Sequence, residues 1–178
     1  VFTIHSLNIV TEFMRIKHLL VALLLIVIQY RVNAQSLEFK PLFSIVLNKF
    51  DAHKRFVQCS RYVPKNIKNY WYPMQEDILL LENNFGNINS IIATECCLLS
   101  KKVQSMENFG FQYIGVVIKG KKFVYVNAFP IRDVELYSEL HTDLTVNLIV
   151  VCDGGSNYWG ALFDPSTKQF SALSFNGM

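Results

Sequence analysis

Charge is scarce in this chain and nearly balanced. Only 17% of the 178 residues are Asp, Glu, Lys or Arg, below the proportion of about a quarter usual in soluble domains. The formal charge is +3, but setting aside Arg15, Lys17, Arg31 and Glu12 leaves 14 basic against 13 acidic side chains. So even a balance argues against nucleic acid as a partner and gives no reason to expect an anionic membrane surface. Glycine and proline are also sparse, at 8 and 5 residues. No linker, repeat or low-complexity tract divides the chain after its first 34 residues, so 35–178 is expected to form one globular domain. The four cysteines include no C-x-x-C pair, and His53 and His141 stand in unrelated places, so no metal or cofactor is expected. Long apolar runs are missing too. The longest, residues 19–28, has ten residues and gives about 15 Å of helix, half a bilayer core.

That short run has another use. "MRIKHLLVALLLIVIQYRVNA" starts at Met14 with the basic residues Arg15, Lys17 and His18. It continues through the apolar run and ends with Val32 and Ala34 in the −3 and −1 places of a small-residue cleavage site. This is the anatomy of a secretory signal peptide over 14–34, so the expected location is secreted or periplasmic. A membrane attachment would come only through an uncleaved leader. Residues 1–13 do not fit a signal peptide and read as an upstream extension.

Within 35–178, "PMQEDILLLENNFGNINSII" (73–92) has the strongest helical pattern. Glu76 and Asp77 suit a first turn, Pro73 suits the first helical position, Ile78, Leu81, Phe85 and Ile88 follow the spacing of one buried stripe, and Gly86 marks the expected end of the helix. "LFSIVLNKF" (42–50) fits a strand or a short helix, and a further strand is expected near 55–62. From residue 109 the pattern becomes β: "GFQYIGVVI" and "KKFVYVNAF" flank a Lys119-Gly120 hairpin. "VNLIVVC" (146–152) reads as a central strand. "YWGALF" and "QFSALSF" flank an Asp164-Pro165 turn. Residues 130–145 read as a short amphipathic helix or a polar crossing. The fold class expected is α+β: an N-terminal helix packed on a twisted antiparallel sheet of four to five strands. The two-layer layout is cystatin-like or inhibitor-like by analogy alone.

Candidate chemistry is thin. Cys59, Cys96, Cys97 and Cys152 allow three disulfide connectivities in an exported chain. A bridge between the adjacent Cys96 and Cys97 is disfavoured as strained. Cys59 with Cys96 or Cys97, or one of those with Cys152, is the expectation, against the alternative that all four are small buried hydrophobes. Glu76 with Asp77 and Asp133 with Glu135 are sequence neighbours that do not face each other. Asp153, His141 and Cys152 could supply a hydrolase set only by free choice, since no catalytic signature surrounds them. "VCDGGSNYWG" (151–160) is the most motif-like stretch. It lacks the spacing and closing Glu of a calcium loop, and no helix follows its glycines to cradle a phosphate. It reads first as a hairpin bend at 153–157. Its Asp153, Ser156, Asn157, Tyr158 and Trp159 remain the candidate binding residues, and Tyr70, Trp71 and Tyr72 could extend them into an aromatic surface.

"GFQYIGVVIKGKKFVYVNAF", "VVCDGGSNYWGALFDPSTKQFSALSFNG" and, upstream, "YWYPMQEDILLLENNF" together resemble a family of small bacterial secreted proteins, over roughly residues 70–177. The most specific part is Asp153-Gly154-Gly155, then Trp159-Gly160, then Phe175-Asn176-Gly177. The resemblance implies an exported single domain and lends no catalytic residue. The functional expectation is a non-enzymatic binding or interaction module whose partner is another protein or a small ligand. A small hydrolase near Asp153 and His141, and a structural envelope component with a long unprotected sheet edge, are the alternatives.

Overall fold

The computed structural model describes residues 14, 17–21, 39–48 and 57–178. The chain divides into two units, Val1–Glu38 and Phe39–Met178. In the first, residues 17–21 are helical. The cleavage region ending at Ala34, the upstream residues 1–13 and His53 lie outside the described residues. No helix among the described residues is long and apolar enough to cross a membrane.

In the second unit, the described residues form one mixed sheet of six strands. These are β1 (Ser44–Val46), β2 (Ile67–Trp71), β3 (Phe109–Ile118), β4 (Lys121–Pro130), β5 (Trp159–Asp164) and β6 (Gln169–Phe175). Two α-helices accompany them, α1 (Gln75–Glu82) and α2 (Arg132–Glu139), so the class is α+β with an open sheet. Four of the strands run β3-β4-β5-β6 in antiparallel order. The β3–β4 hairpin pairs ten residues on each strand, from Phe109 with Pro130 to Ile118 with Lys121. Lys119 and Gly120 both have positive φ, at 51° and 78°, as a two-residue turn between right-twisted strands requires.

The outer edge of β3 departs from the expected all-antiparallel sheet. β1 pairs there in parallel, Ser44 with Phe111, and β2 pairs antiparallel further along, Trp71 with Gly115. Two strands therefore precede the helix. The strand expected near 55–62 does not form across 57–62; the strand on this side is β2, which begins at Ile67. Helix α1 starts at Gln75, two residues after Pro73, because Met74 serves as its cap: the Asp77 carboxylate accepts from the Met74 N–H at 2.8 Å. The α-helix ends at Glu82 and a 3-10 turn over Phe85–Ser90 continues the line.

The two faces of the sheet are covered differently. On one, Leu81, Phe85 and Ile88 of the expected stripe are fully buried against Phe111, Val126, Trp159 and Phe170, with Ile78 packed alongside. The rings interlock: Phe85 lies 4.8 Å from Phe111 and 5.8 Å from Phe170, and Phe111 meets Trp159 edge-on at 5.9 Å. Each such pair adds about 0.5–1.5 kcal/mol beyond the area it buries.

The other face carries a polar row at its centre. Gln112, Asn127, Gly160 and Ser174 are register partners across β3, β4, β5 and β6, and all but the glycine are buried polar residues. This row explains why 146–152 is not the central strand that its apolar pattern suggests. β4 already has a neighbour on each side, so the segment instead crosses this face, with its backbone bonded to side-chain amides. The Gln112 amide donates to Leu144 O and Asn147 O at 3.0 and 2.7 Å, while its oxygen accepts from Ile149 N–H at 2.8 Å. Asn127 donates to Ile149 O at 3.0 Å. Backbone groups that a ladder would satisfy are satisfied one by one, so the run stays irregular although Ile149 is buried.

Candidate functional site

Another side-chain amide, Asn176, fixes the stretch around residue 153. Asn176 donates to Val151 O and Asp153 O, the latter at 2.9 Å. Gly155 N–H donates to Gly177 O at 2.9 Å, Asn176 N–H to Tyr158 O at 2.9 Å and Gly177 N–H to Ser60 O at 3.2 Å. Asp-Gly-Gly and Phe-Asn-Gly are thus two halves of one clasp. Gly154 and Gly155 take φ of 97° and 55°, a region that side chains disfavour, and a Cβ on Gly154 would fall 2.5 Å from the Tyr158 ring. The hairpin expected at 153–157 is therefore corrected. No strand enters it, and Gly155–Asn157 is a 3-10 turn leading into β5.

Behind the clasp is Arg61, buried at 7% exposure. Its guanidinium donates to Asn176 Oδ1 at 3.2 Å and to Asn127 Oδ1, which also accepts from Gln58. No carboxylate pairs with it among the described residues, and its Nε has no acceptor. Neutral amide oxygens hold the charge, each charge-assisted bond contributing about 1.5–3 kcal/mol.

The disulfides also differ from expectation. Cys59 bonds Cys152, and Cys96 bonds Cys97. Cys59 and Cys152 meet because their neighbours are pinned to the same network, Gln58 to Asn127 and Ile149, Val151 and Asp153 to Asn176. This bridge spans a sequence separation of 93, which by loop-closure entropy would stabilise the fold by about 4–5 kcal/mol. Closure of that loop leaves the adjacent pair to each other. Cys152 is not a buried hydrophobe; it and Cys59 are exposed.

The sequence candidates separate. Ser156, Asn157 and Trp159 line one cavity of about 200 Å³. Lys101, Lys102, Ser105 and Asn108 also line it, and its apolar lining includes Phe109 and Phe175. Trp159 is fully buried, and its covered indole Nε1 has no hydrogen-bond partner among the described residues. Trp71 shows the ordinary arrangement: its Nε1 donates to Val116 O at 3.2 Å and Phe123 O at 3.1 Å. An indole N–H can only donate, and leaving one buried and unmet costs about 1–3 kcal/mol. An adjoining cleft of about 440 Å³ shares Asn108, Phe109 and Asn157 with the cavity and brings in Arg132.

Tyr158 points elsewhere. Its hydroxyl donates to Asp133 Oδ2 at 2.8 Å, and Asp133 is a buried carboxylate on α2. Partial burial, followed by that bond, pushes the Tyr158 hydroxyl up to about 12. Asp153 is exposed and lines neither cleft, and the same is true of His141, in the turn after α2. No hydrogen bond joins the two among the described residues. Tyr70 and Trp71 are on β2, level with Val116 and Gly115, whereas Trp159 is level with Ala128 and Phe111. The aromatics therefore do not form one patch. Among the described residues no three His, Cys, Asp or Glu side chains gather as a metal site.

Sequence reading missed Lys101, Lys102, Ser105 and Asn108, because nothing in a run such as "SKKVQSMEN" says which loop it will face. Comparison with known proteins gives no match: no family model, no curated protein and no solved structure is similar to this chain.

Proposed function

We propose that this chain is an exported, non-enzymatic binding module that holds a small ligand in the cavity lined by Ser156, Asn157 and Trp159. The observation that carries the reading is the unmet Trp159 N–H in a residue lining a cavity. A buried donor without an acceptor is costly, and a ligand oxygen that displaces the neighbours now covering Nε1 would remove that cost. Export rests on the leader over 14–34, and kinship with small bacterial secreted proteins rests on the clasp sequence. The helix-on-sheet layering keeps the cystatin-like and inhibitor-like analogy as one of layout alone. Neither a hydrolase at Asp153 and His141 nor an envelope scaffold has an observation of comparable weight in its favour.

The chain has two tryptophans, so an ¹⁵N-labelled sample gives two indole N–H signals. Titration with a library of small polar metabolites is expected to move the Trp159 signal and leave Trp71, with its two internal acceptors, in place. A library that moves neither signal, or moves both together, would overturn the reading.

A further inference from the structure

Resting on that cavity, we infer that its ligand is a small organic carboxylate with an apolar body. Charge is the first argument. The cavity and its adjoining cleft are lined by Lys101, Lys102 and Arg132, and by no carboxylate among the described residues. The groove beside β2 is different: there Lys121 and Lys122 face Glu76, Asp77 and Asp164. In a chain whose charges balance almost one for one, a cleft lined by one sign alone favours an anion.

Hydrogen bonding is the second argument. Trp159 Nε1 can only donate, and the lysines can only donate. A carboxylate offers two oxygens that accept, so one can take an ammonium while the other meets the indole once the side chains covering Nε1 shift aside. The apolar lining is the third. Phe109, Trp159 and Phe175 line the same chamber and would surround a hydrocarbon body, not a hydrated inorganic ion. The cavity of about 200 Å³ takes a group the size of one aromatic side chain, and the cleft of about 440 Å³ leaves room for a longer molecule to emerge past Arg132. The carboxylate could therefore belong to a free aryl-alkanoic acid or to the C-terminus of a peptide.

The test uses the whole chain and four probes: 3-phenylpropanoate, its neutral amide, and the peptide Gly-Gly-Phe with a free or an amidated C-terminus. Binding is read by calorimetry and by the Trp159 indole signal. The acid is expected to bind at least about tenfold tighter than its amide, the ratio that one charge-assisted hydrogen bond supplies. Replacing both lysines, Lys101→Gln with Lys102→Gln, should bring that ratio close to one. If the free peptide binds tighter than 3-phenylpropanoate, the source is a peptide terminus; if the reverse holds, it is a free acid. Equal binding of acid and amide overturns the carboxylate assignment and leaves the cavity in place, and a ratio that survives loss of both lysines overturns the placement of the carboxylate against them. No binding of any probe at about 1 mM overturns the assignment and the cavity reading together.

Discussion

The two faces of the sheet are built on opposite principles. One is closed by shape: Phe85, Phe111, Trp159 and Phe170 interlock under α1 and the 3-10 turn after it. The other is closed at its centre by polarity, between apolar clusters around Ile114 and Phe129: Gln112, Asn127, Asn176 and Arg61 hold an irregular crossing in place bond by bond. The first tolerates rearrangement among apolar groups of similar volume. The second tolerates little, because each amide serves several partners and the loss of one leaves the others unmet. The cavity lies where these systems meet. Trp159 comes from the aromatic face, whereas Ser156 and Asn157 come from the clasp that the amides anchor.

The aromatic face should break with the largest effect. Phe111 is fully buried between Phe85, Tyr113 and Trp159. Phe111→Ala is expected to cost about 4 kcal/mol, and Phe111→Leu about 1 kcal/mol, both read by urea unfolding. Equal losses would mean that this face is not closed by shape.

The polar face should lose slightly less but show a different logic. Asn127→Leu removes the acceptor for Arg61 and Gln58 and the donor to Gln112 and Ile149. It is expected to cost about 3 kcal/mol, because a buried cation and a buried carbonyl lose a partner together. Arg61→Met added to it removes the stranded charge, so the double variant should be more stable than Asn127→Leu alone. A double variant as unstable as the sum of the two single ones would show that the guanidinium is not held by the amides.

This contrast also sets what was legible beforehand. The stripe of Ile78, Leu81, Phe85 and Ile88 and the Lys119-Gly120 hairpin were readable because periodicity and turn chemistry act locally. The run 146–152 misled because an apolar pattern reports burial and not pairing, and what prevents pairing there is Gln112, Asn127 and Asn176, all distant in sequence. A signal was present nonetheless. Gln112 and Asn127 are polar residues inside the apolar stretches of two strands, and a buried polar side chain is the informative oddity. Of the candidate residues, Ser156, Asn157 and Trp159 came together because one short turn carries them. Lys101 and Lys102 arrive from a loop more than fifty residues away, and no spacing rule links the two.

The smallest effect compares two tyrosine–carboxylate pairs. On the aromatic face Tyr113 donates to Glu82 at 3.0 Å, and burial, reinforced by that carboxylate, lifts its hydroxyl well above the ordinary tyrosine range. On the polar face Tyr158 donates to Asp133 and is pushed up to about 12. An unfolded tyrosine ionises near pH 10, so between about pH 10 and 12 the unfolded chain sheds a proton that folded Tyr158 retains. Stability from this group is whole below that window and falls as pH rises through it. Tyr158→Phe should therefore cost about 1 kcal/mol at neutral pH through loss of the bond to Asp133, and should make the alkaline decline in urea midpoint shallower. Tyr113→Phe should also flatten the decline, while disturbing the packed rings around it. An alkaline decline that Tyr158→Phe leaves unchanged would show that its hydroxyl is not held by Asp133, and would detach α2 from the clasp beside the cavity.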